Sequence, residues 1–292
     1  MIILFSKLDL TIQLPVIFLA LNPYKFILFM RFFGCLFFLA LSLSALSQIQ
    51  VKVLTYNMYH GELAYEPGKP SLDSIISFIN KVQPDFVALQ EVDSATGRSA
   101  NLYGKKTDLI KELAAKTGMN GYFGKAMDFD GGSYGEGLLS VFPLKTVTVP
   151  IPSPSGGESR SLMYANIRLS NGQNIIVGGT HLCHESPENR QVQVESIDKL
   201  YRSLLVPGIV CGDFNFEASD APYEAMSNWF KDAAAVKKNV SNTFSSKEPT
   251  KRIDYAFITR RGNWKVISAE TFPVTYSDHL PVLITLEMTI NE

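Results

Sequence analysis

The chain has 292 residues, of which 46% are apolar and 19% charged, and its formal net charge is −1. This composition supports a substantial buried core and excludes intrinsically disordered, collagen-like and coiled-coil proteins. The chain lacks the excess of basic residues that would indicate nucleic-acid binding. A bound metal ion can nevertheless supply the positive charge that phosphate needs.

The first 47 residues differ from the rest because they hold only four charged residues among long runs of Ile, Leu and Phe. After Met30 come a charged residue, Arg31, a short apolar centre over residues 36–43, and two small residues two positions apart. This pattern is typical of a secretory signal peptide that is cleaved before Gln48. We therefore predict an exported protein, periplasmic, at the cell surface or extracellular, with residues 48–292 as its single domain.

Two other interpretations of the leader stay open. Residues 12–30 and 32–46 together are long and apolar enough to span a bilayer more than once, as in a membrane anchor. Alternatively, translation starts at Met30 and residues 1–29 do not belong to the protein. Removal of the whole leader takes away three of the 27 basic and one of the 28 acidic residues, which leaves 24 basic and 27 acidic residues and a net charge of −3.

Two cysteines remain after the leader, Cys183 and Cys211. In an exported protein they could form a disulfide. The simpler interpretation is two buried thiols on neighbouring strands.

The first half of the domain alternates strands and helices. Polar and apolar residues alternate from Gln50 to Leu54 and predict a strand that runs into Asn57. Apolar residues at helical spacing follow Ser71 and stop before Pro84, which predicts a capped helix. A buried strand over 86–90 and a helix over 107–117, which Gly118 ends, follow in turn.

The second half contains more strands. We predict strands over 138–142, 162–169 and 174–180, the last two joined by an Asn-Gly turn, and then a helix from Ser186 to Leu204. Three more strands are predicted over 208–211, 253–258 and 280–286. The residues from 150 to 157, rich in Pro, Ser and Gly, predict a loop. Interleaved helices and hairpins favour two packed sheets with helices outside them over one parallel sheet.

Polar and ionisable residues collect where these strands end, which is where an α/β framework places its ligands. Three of the four histidines of the chain lie in such segments, and the fourth, His184, lies two residues after one of them. The segments are Thr-Tyr-Asn-Met-Tyr-His (55–60), Leu-Gln-Glu-Val-Asp (89–93), Thr-His-Leu (180–182), Gly-Asp-Phe-Asn (212–215), Arg-Ile-Asp-Tyr (252–255) and Ser-Asp-His-Leu-Pro-Val (277–282). Each alone is weak evidence, because such residues are common in solvated loops and turns.

Together and in this order, the six segments resemble the motifs of the endonuclease/exonuclease/phosphatase superfamily, also called the DNase I-like family, from about residue 51 to 287. The resemblance implies a four-layer α/β (α+β) sandwich, in which two packed mixed β-sheets are flanked by helices. It also implies a divalent-metal-dependent hydrolase that cleaves phosphate esters by metal-assisted attack of water.

The resemblance assigns the metal site first. Glu91 of the Gln-Glu motif is expected to bind Mg²⁺ or Mn²⁺, since hard cations prefer oxygen ligands. Asn57 is its hydrogen-bonding or weak metal partner. Asp278 is either a second metal ligand or a residue that holds water.

The remaining motif residues are expected to act on the phosphate and on the attacking water. Asp213 would orient or deprotonate the water, and Asn215, on the same side of an extended strand end, would donate to a phosphate oxygen. His279 would be held protonated by Asp254. His181 would donate to the phosphate from the opposite side.

Other residues are weaker candidates. Glu136 either orients His181, as in the nucleases of the family, or is an ordinary loop glutamate. Five further basic side chains either contact the substrate or are merely structural or solvated: His60, His184, Arg98, Arg160 and Arg190.

The substrate class stays open at this stage. An extracellular nuclease needs basic residues along a groove, and few are evident. A sphingomyelinase-like enzyme needs an aromatic hairpin to enter lipid, and the Pro-rich loop lacks one. A phosphatase or phosphodiesterase for small substrates, such as inositol phosphates, needs only a compact charged pocket. We expect a monomer with no membrane span in its mature form; a binding module that has lost its chemistry and an integral membrane protein are the alternatives from other classes.

Overall fold

A computed structural model describes residues 48–289 of the chain. The predictions for the leader, residues 1–47, lie outside the described residues. Among residues 48–289 no helix is long and apolar enough to cross a membrane.

Six strands form the first sheet, in the order β11-β12-β1-β2-β4-β3. Only β1 and β2 are parallel, and the other pairs are antiparallel. Their bounds are β1 Gln48–Asn57, β2 Phe86–Ser94, β3 Asn120–Phe129, β4 Gly132–Ser140, β11 Trp264–Thr271 and β12 Val282–Thr289.

The second sheet also has six strands, in the order β5-β6-β7-β8-β10-β9. Here β7 and β8 are the parallel pair, and the neighbours on both sides are antiparallel. Their bounds are β5 Thr146–Ile151, β6 Arg160–Arg168, β7 Asn174–His181, β8 Gly208–Asp213, β9 Phe230–Asp232 and β10 Asp254–Thr259.

The helices lie in the connections between strands. Ser186, Thr96 and Asp108 each cap a helix with a side chain that accepts from the backbone, as short polar residues at this position commonly do. The helices are α1 Leu72–Val82, α2 Gly97–Tyr103, α3 Leu109–Thr117, α4 Pro187–Leu204, α5 Ala221–Ser227 and α6 Ala233–Lys237, and a single 3₁₀ turn spans Tyr59–Gly61.

Successive side chains of the central strands point to opposite faces of the sheet, so each sheet packs on the other sheet with one face and on helices with the other, which gives four layers. Val53 and Ala88 face the second sheet and form the central core with residues such as Val177, whereas Leu54 and Val87 point outward against α1 and α3. A third cluster packs the outer face of the second sheet against α4 and α5. The predicted fold, two packed mixed sheets flanked by helices, is therefore confirmed.

The two parallel pairs set the position of the functional residues. In register, Asn57 lies opposite Gln90, and His181 lies opposite Asp213. Parallel strands end at the same edge, so these carboxyl ends place their last side chains together at one end of the sandwich.

Several predicted elements differ from the structure. The strand predicted over 138–142 is the end of β4, which stops at Ser140 and leaves Val141 and Phe142 about half exposed. The predicted loop over 150–157 begins with the last two residues of β5. Strands β3, β5, β9 and β11 and the short helices α2, α5 and α6 were not predicted. The two cysteines are free and buried, with Cys183 just after β7, so no disulfide joins them.

Candidate active site

Most of the predicted residues line one cavity of about 640 Å³ at the edge where β1, β2, β7 and β8 end. The predicted residues on its wall are His60, Glu91, Arg98, Arg160, His181, His184, Arg190, Asp213, Asn215, Asp278 and His279. Asn57, Glu136 and Asp254 are not on the wall and are almost fully buried behind it.

Asn57, the last residue of β1, links the two sheets. Its amide nitrogen donates to Glu91 Oε1 at 3.0 Å and to Asp213 Oδ2 at 3.1 Å, and its amide oxygen accepts from the backbone N–H of Tyr59 at 3.1 Å. Asn57 therefore contacts Glu91 through its amide nitrogen.

Glu91 interrupts the β2–β4 ladder. The register shifts between Leu89 and Val92, and Glu91 takes a left-handed backbone with φ 58°, which turns its side chain into the cavity. Burial acts to raise its pKa, but the adjacent His60, His181 and Asn57 outweigh burial and hold the pKa of Glu91 well below its usual range. Glu91 is thus an anion at any pH near neutrality.

His279 contacts two buried aspartates. Its Nδ1 lies 2.9 Å from Asp254 Oδ2, and its Nε2 lies 3.6 Å from Asp213 Oδ2. Burial lowers the pKa of His279, but the charges of Asp254 and Asp213 outweigh burial and raise the pKa to about 10. The structure therefore brings His279 and its expected partner Asp254 into direct contact.

Asp213 ends β8 directly opposite Asp254 of β10. Burial and the like charge of Asp254 raise the pKa of Asp213 to about 7, while His279 opposes them. A carboxyl group with this pKa can exchange protons near neutrality, as a general base must.

The prediction that Asn215 lies on an extended strand end was wrong. Asn215 does not continue an extended strand, because it takes a left-handed backbone with φ 52° and its backbone N–H turns back to Asp213 Oδ1 at 3.0 Å. Its side-chain amide donates to the carbonyl of Leu182 at 3.0 Å. Asn215 still lines the cavity, but it does so from an Asx turn.

His181 is held differently from His279. Arg160 Nη1 lies 3.3 Å from its Nδ1, and Asp213 Oδ2 lies 3.4 Å from its Nε2. Burial and the positive charge of Arg160 lower the pKa of His181 well below its usual value. His181 is therefore neutral at neutral pH.

The prediction that Glu136 orients the His181 ring was wrong. Glu136 lies inside β4, almost fully buried, and its carboxyl group accepts a hydrogen bond from the Ser161 hydroxyl. Among the described residues, the ring of His181 faces Arg160 and Asp213 instead. Burial raises the pKa of Glu136 to about 8, so the alternative of a solvated loop glutamate is also wrong.

Asp278 lies on the wall of the same cavity as Glu91. Burial raises its pKa, and the like charge of Glu91 adds to the effect, although Ser277 Oγ donates to Asp278 Oδ1 at 3.2 Å. Two carboxylates that repel each other across a cavity attract a cation.

The three arginines that were weaker candidates, Arg98, Arg160 and Arg190, are already bound to other groups of the protein. Arg98 binds both oxygens of Asp93 at 2.9 and 2.7 Å, and its guanidinium stacks 4.5 Å from the Phe129 ring centre. Arg190 donates to the backbone carbonyls of Cys183 and His184. Arg160 forms an ion pair with Glu158 at 2.9 Å. Their guanidinium groups line the cavity, but part of their hydrogen-bonding capacity is already used.

Sequence reasoning missed several residues of the cavity. Phe129, Tyr134, Phe244, Lys251 and Glu158 line it, and none lies in a motif. Phe129 and Tyr134 belong to strands that meet in a hairpin, and the first strand, over residues 120–129, lacks the polar and apolar alternation that would have revealed it.

The donor set suits a hard divalent cation. Glu91 Oε1 accepts from Asn57, whereas no described residue hydrogen-bonds to its Oε2, and Asp278 supplies a second carboxylate nearby. A second group, Asp213, Asp254 and His279, places ligand atoms within 4.8 Å of one another. In that group the contact between Asp254 and His279 uses one ligand atom of each. Glu91 and Asp278 present carboxylates on the wall of the same cavity, and carboxylates are ligands that Mg²⁺ prefers.

The sequence profile described as "Endonuclease/Exonuclease/phosphatase family" matches residues 54–279. No curated protein sequence matches the chain.

Three solved structures share the fold. An endonuclease/exonuclease/phosphatase from Beutenbergia cavernae is 23% identical and covers 82% of this chain and 72% of its own, with a TM-score of 0.68. The human nocturnin catalytic domain with bound sulfate is 20% identical over 82% and 94%, with a TM-score of 0.66. A mannosyl-6-phosphatase from Bacteroides thetaiotaomicron is 18% identical over 81% and 99%, with a TM-score of 0.61.

Proposed function

The chain belongs to the endonuclease/exonuclease/phosphatase family of phosphoesterase- and nuclease-type hydrolases, and from this premise we propose that it hydrolyses phosphate esters of small polar molecules with the help of Mg²⁺ or Mn²⁺. The observation that carries the proposal is the convergence of Glu91, Asp213, His181 and His279 on one cavity.

Glu91 and Asp278 would hold the cation. When bound, such an ion neutralises phosphate charge and lowers the pKa of a coordinated water. Without the metal the same two carboxylates would repel the phosphate. We therefore expect the metal to be required for substrate binding as well as for the reaction.

Asp213 would take the proton from the attacking water. Its Oδ2 is fixed by the Asn57 amide at 3.1 Å, and its pKa of about 7 leaves a large ionised fraction at neutral pH. A positioned general base of this kind contributes a factor of roughly 10²–10⁴ in rate.

The two histidines would hold the phosphate as different kinds of donor. His279 is protonated next to Asp254 and supplies a charged N–H. His181 is neutral, and Arg160, which can only donate, faces its Nδ1; its proton is therefore on Nε2, which can point at a phosphate oxygen. Donors that are fixed before the reaction stabilise charge that develops in the transition state.

Acidic residues on the rim favour a small substrate over nucleic acid. Glu158, Glu217 and Asp220 line the same cavity as the tethered arginines. A polyanion would meet these carboxylates as it left the pocket, whereas nucleic-acid sites present continuous positive charge. A small ester with hydroxyl groups can donate hydrogen bonds to the same carboxylates, and one structural neighbour is a mannosyl-6-phosphatase.

The assay for this proposal compares purified protein in EDTA, Mg²⁺ and Mn²⁺ with sugar phosphates, inositol phosphates, p-nitrophenyl phosphate, bis-p-nitrophenyl phosphate, sphingomyelin, RNA and plasmid DNA. We expect no turnover in EDTA, recovery with either metal, and the highest kcat/KM on a small ester. Glu91→Gln should abolish the metal-dependent recovery, whereas Glu217→Gln, which changes a glutamate on the rim of the same cavity, should retain metal activation. Preference for DNA or RNA would contradict the substrate class, and full turnover of Glu91→Gln in EDTA would contradict the metal assignment.

Export stays a separate proposal. It rests on the sequence pattern of the leader, with Arg31 before an apolar centre and small residues before Gln48. N-terminal sequencing of protein from its native cells should find Gln48 first; a chain that keeps Met1 or Met30 would contradict the proposal.

A further inference from the structure

His60 is a buried histidine whose second ring nitrogen is unaccounted for. His60 is 7% exposed and lines the active-site cavity. Its Nδ1 has no hydrogen-bond partner among the described residues. A buried polar atom without a partner is destabilising, so this nitrogen requires an explanation.

The backbone is strained to bring the ring to this place. Tyr59 and His60 take left-handed conformations with φ 45° and 43°, and Gly61 follows with φ 76°. Left-handed backbone is unfavourable for residues with a side chain, and functional sites are where such strain concentrates. The Tyr59 N–H on Asn57 Oδ1 and the Tyr103 hydroxyl on the Gly61 carbonyl, at 3.1 and 2.6 Å, hold the turn.

Glu62 fixes the tautomer of His60. Its Oε2 lies 2.9 Å from His60 Nε2, and its Oε1 accepts from the backbone N–H of Gly68 at 2.5 Å. The carboxylate accepts the Nε2 proton, which leaves a lone pair on Nδ1. A carboxylate behind the far nitrogen of a histidine is the usual arrangement around a metal-binding imidazole.

The lone pair faces another acceptor. His60 Nδ1 lies 3.9 Å from Glu91 Oε2, the oxygen that no described residue hydrogen-bonds. This distance is too long for a hydrogen bond, even from a doubly protonated ring. Metal–ligand bonds are about 2.1 Å long, so one ion can bridge ligand atoms up to about 4.2 Å apart.

We propose that His60 Nδ1 is a further protein ligand, beside Glu91 and Asp278, of the same cation, with Glu62 as the residue that orients the ring. The proposal deepens the proposed function, on which it rests. An imidazole ligand favours first-row transition metals over Mg²⁺, whose preferred ligands are oxygens. The site should therefore select Mn²⁺ over Mg²⁺ more strongly than an all-oxygen site.

The experiment measures metal binding directly, without substrate. Metal-free full-length protein, prepared with ¹⁵N-labelled and with unlabelled histidine, is titrated with Mn²⁺ and examined by pulsed electron paramagnetic resonance. The wild-type protein should show a directly bound nitrogen whose coupling changes with the label. His60→Gln should lose this signal and bind Mn²⁺ at least about 10-fold more weakly while its Mg²⁺ affinity changes less.

Matched variants separate the outcomes. His184→Gln removes another histidine of the same cavity and should keep the nitrogen coupling. Glu62→Gln keeps the ring and should weaken Mn²⁺ binding less than His60→Gln does. A wild-type spectrum without nitrogen coupling refutes the inference whether or not the variants fold, and His60→Asn is the second variant if His60→Gln fails to fold.

Two results would overturn the inference: Mn²⁺ bound by the wild-type protein without histidine nitrogen coupling, or an unchanged coupling in His60→Gln. If Glu91→Gln still abolished Mn²⁺ binding in either case, the proposed function would stand and only the role of His60 would fall. Unchanged Mn²⁺ binding in Glu91→Gln would instead contradict the metal site of the proposed function.

Discussion

Two buried contacts between an acid and a base lie two residues apart at the start of β10. Arg252 donates to both oxygens of Asp232, each at 2.7 Å, and its guanidinium also stacks 4.4 Å from the Tyr255 ring centre. Asp232 in addition accepts from the backbone N–H groups of Ala234 and Ala235 and so caps α6. Both carboxylate oxygens of Asp232 and both terminal nitrogens of Arg252 therefore have a hydrogen-bond partner.

The second contact is incomplete. Asp254 uses Oδ2 to hold His279, but its Oδ1 is buried without a hydrogen-bond partner among the described residues. Asp213 lies close enough to share the charge of the same histidine, so two carboxylates compete for one cation.

The difference indicates what each contact does. A satisfied ion pair holds β9, β10 and α6 together and has no capacity left for a ligand. The group around His279 is incompletely satisfied, because Asp254 Oδ1 has no hydrogen-bond partner among the described residues, and two members of this group, Asp213 and His279, line the cavity. Strongly shifted pKa values are concentrated in the second group, as is common at functional sites.

The largest expected effect is on stability, from Arg252→Met. It leaves the buried Asp232 without its cation, and breaking a buried pair in this way costs about 3–5 kcal/mol in the free energy of unfolding. Urea denaturation measures this loss. Activity per folded molecule should change little.

The double variant Arg252→Met with Asp232→Leu is the control for this prediction. Removing both charges should restore most of the stability, because apolar replacement of a buried pair is often neutral. The α6 cap stays lost, which costs about 1 kcal/mol. If Arg252→Met were as stable as the wild-type protein, the satisfied pair would not be the stabilising contact.

The sequence predicted the second contact better than the first. Asp254 and His279 stand in motifs of the family, so their partnership was expected before the structure. Asp232 stands in no motif, and its pairing with Arg252 across 20 residues depends on the short strand β9, whose three residues give no usable periodicity.

The next effect is on catalysis, from His279→Ala. Loss of a positioned, protonated histidine should lower kcat by about 10²-fold or more, while the free energy of unfolding changes less than in Arg252→Met. Asp254→Asn should reproduce part of the loss, because the ring keeps its place but loses the charge that raises its pKa. Steady-state kinetics of both variants test this expectation.

The double variant Asp254→Asn with His279→Ala sharpens the test. Since Asp254 acts through the ring, the double variant should be little worse than His279→Ala alone. Losses that add, with the fold intact by circular dichroism, would show that Asp254 acts independently.

Sequence reasoning succeeded where a residue's place follows from a strand end and failed where it depends on local turns. Asn57, His181 and Asp213 are the last residues of central strands, so their convergence could be predicted from the parallel order. Glu91 was expected after a strand end, but it turns into the cavity at an irregularity inside β2. The left-handed backbone at Asn215 comes from an Asx turn that spacing alone does not reveal.

Glu136 shows the same limit for a partner. Its pairing with Ser161 depends on how β4 of one sheet faces β6 of the other, and nothing in either segment specifies that contact. Family resemblance suggested a histidine partner, but the register of the two sheets places a hydroxyl beside the carboxyl group instead.

The smallest expected effect extends the comparison to a third buried carboxyl group, one with no cation in direct contact. Burial raises the pKa of Glu136 from its usual 4.5 to about 8, so the folded protein keeps a proton that the unfolded chain has lost between these values. The stabilisation is fully present below the unfolded pKa and is lost as the pH rises through the folded one. Over this window one such group lowers the free energy of unfolding by up to about 1.4 kcal/mol per pH unit.

Glu136→Gln imitates the protonated form and cannot ionise. Its stability relative to the wild-type protein should therefore improve from about pH 5 to about pH 8, as measured by urea denaturation across that range. The exposed Glu224 provides the matched control, since Glu224→Gln should leave the pH dependence unchanged. The other shifted groups, Asp213 and His279, are present in every variant, so the difference between variant and wild type isolates Glu136. A constant difference over the whole range would mean that Glu136 is ionised in the folded protein and that Arg160, whose positive charge lowers its pKa, balances it across the sheets much as Arg252 balances Asp232.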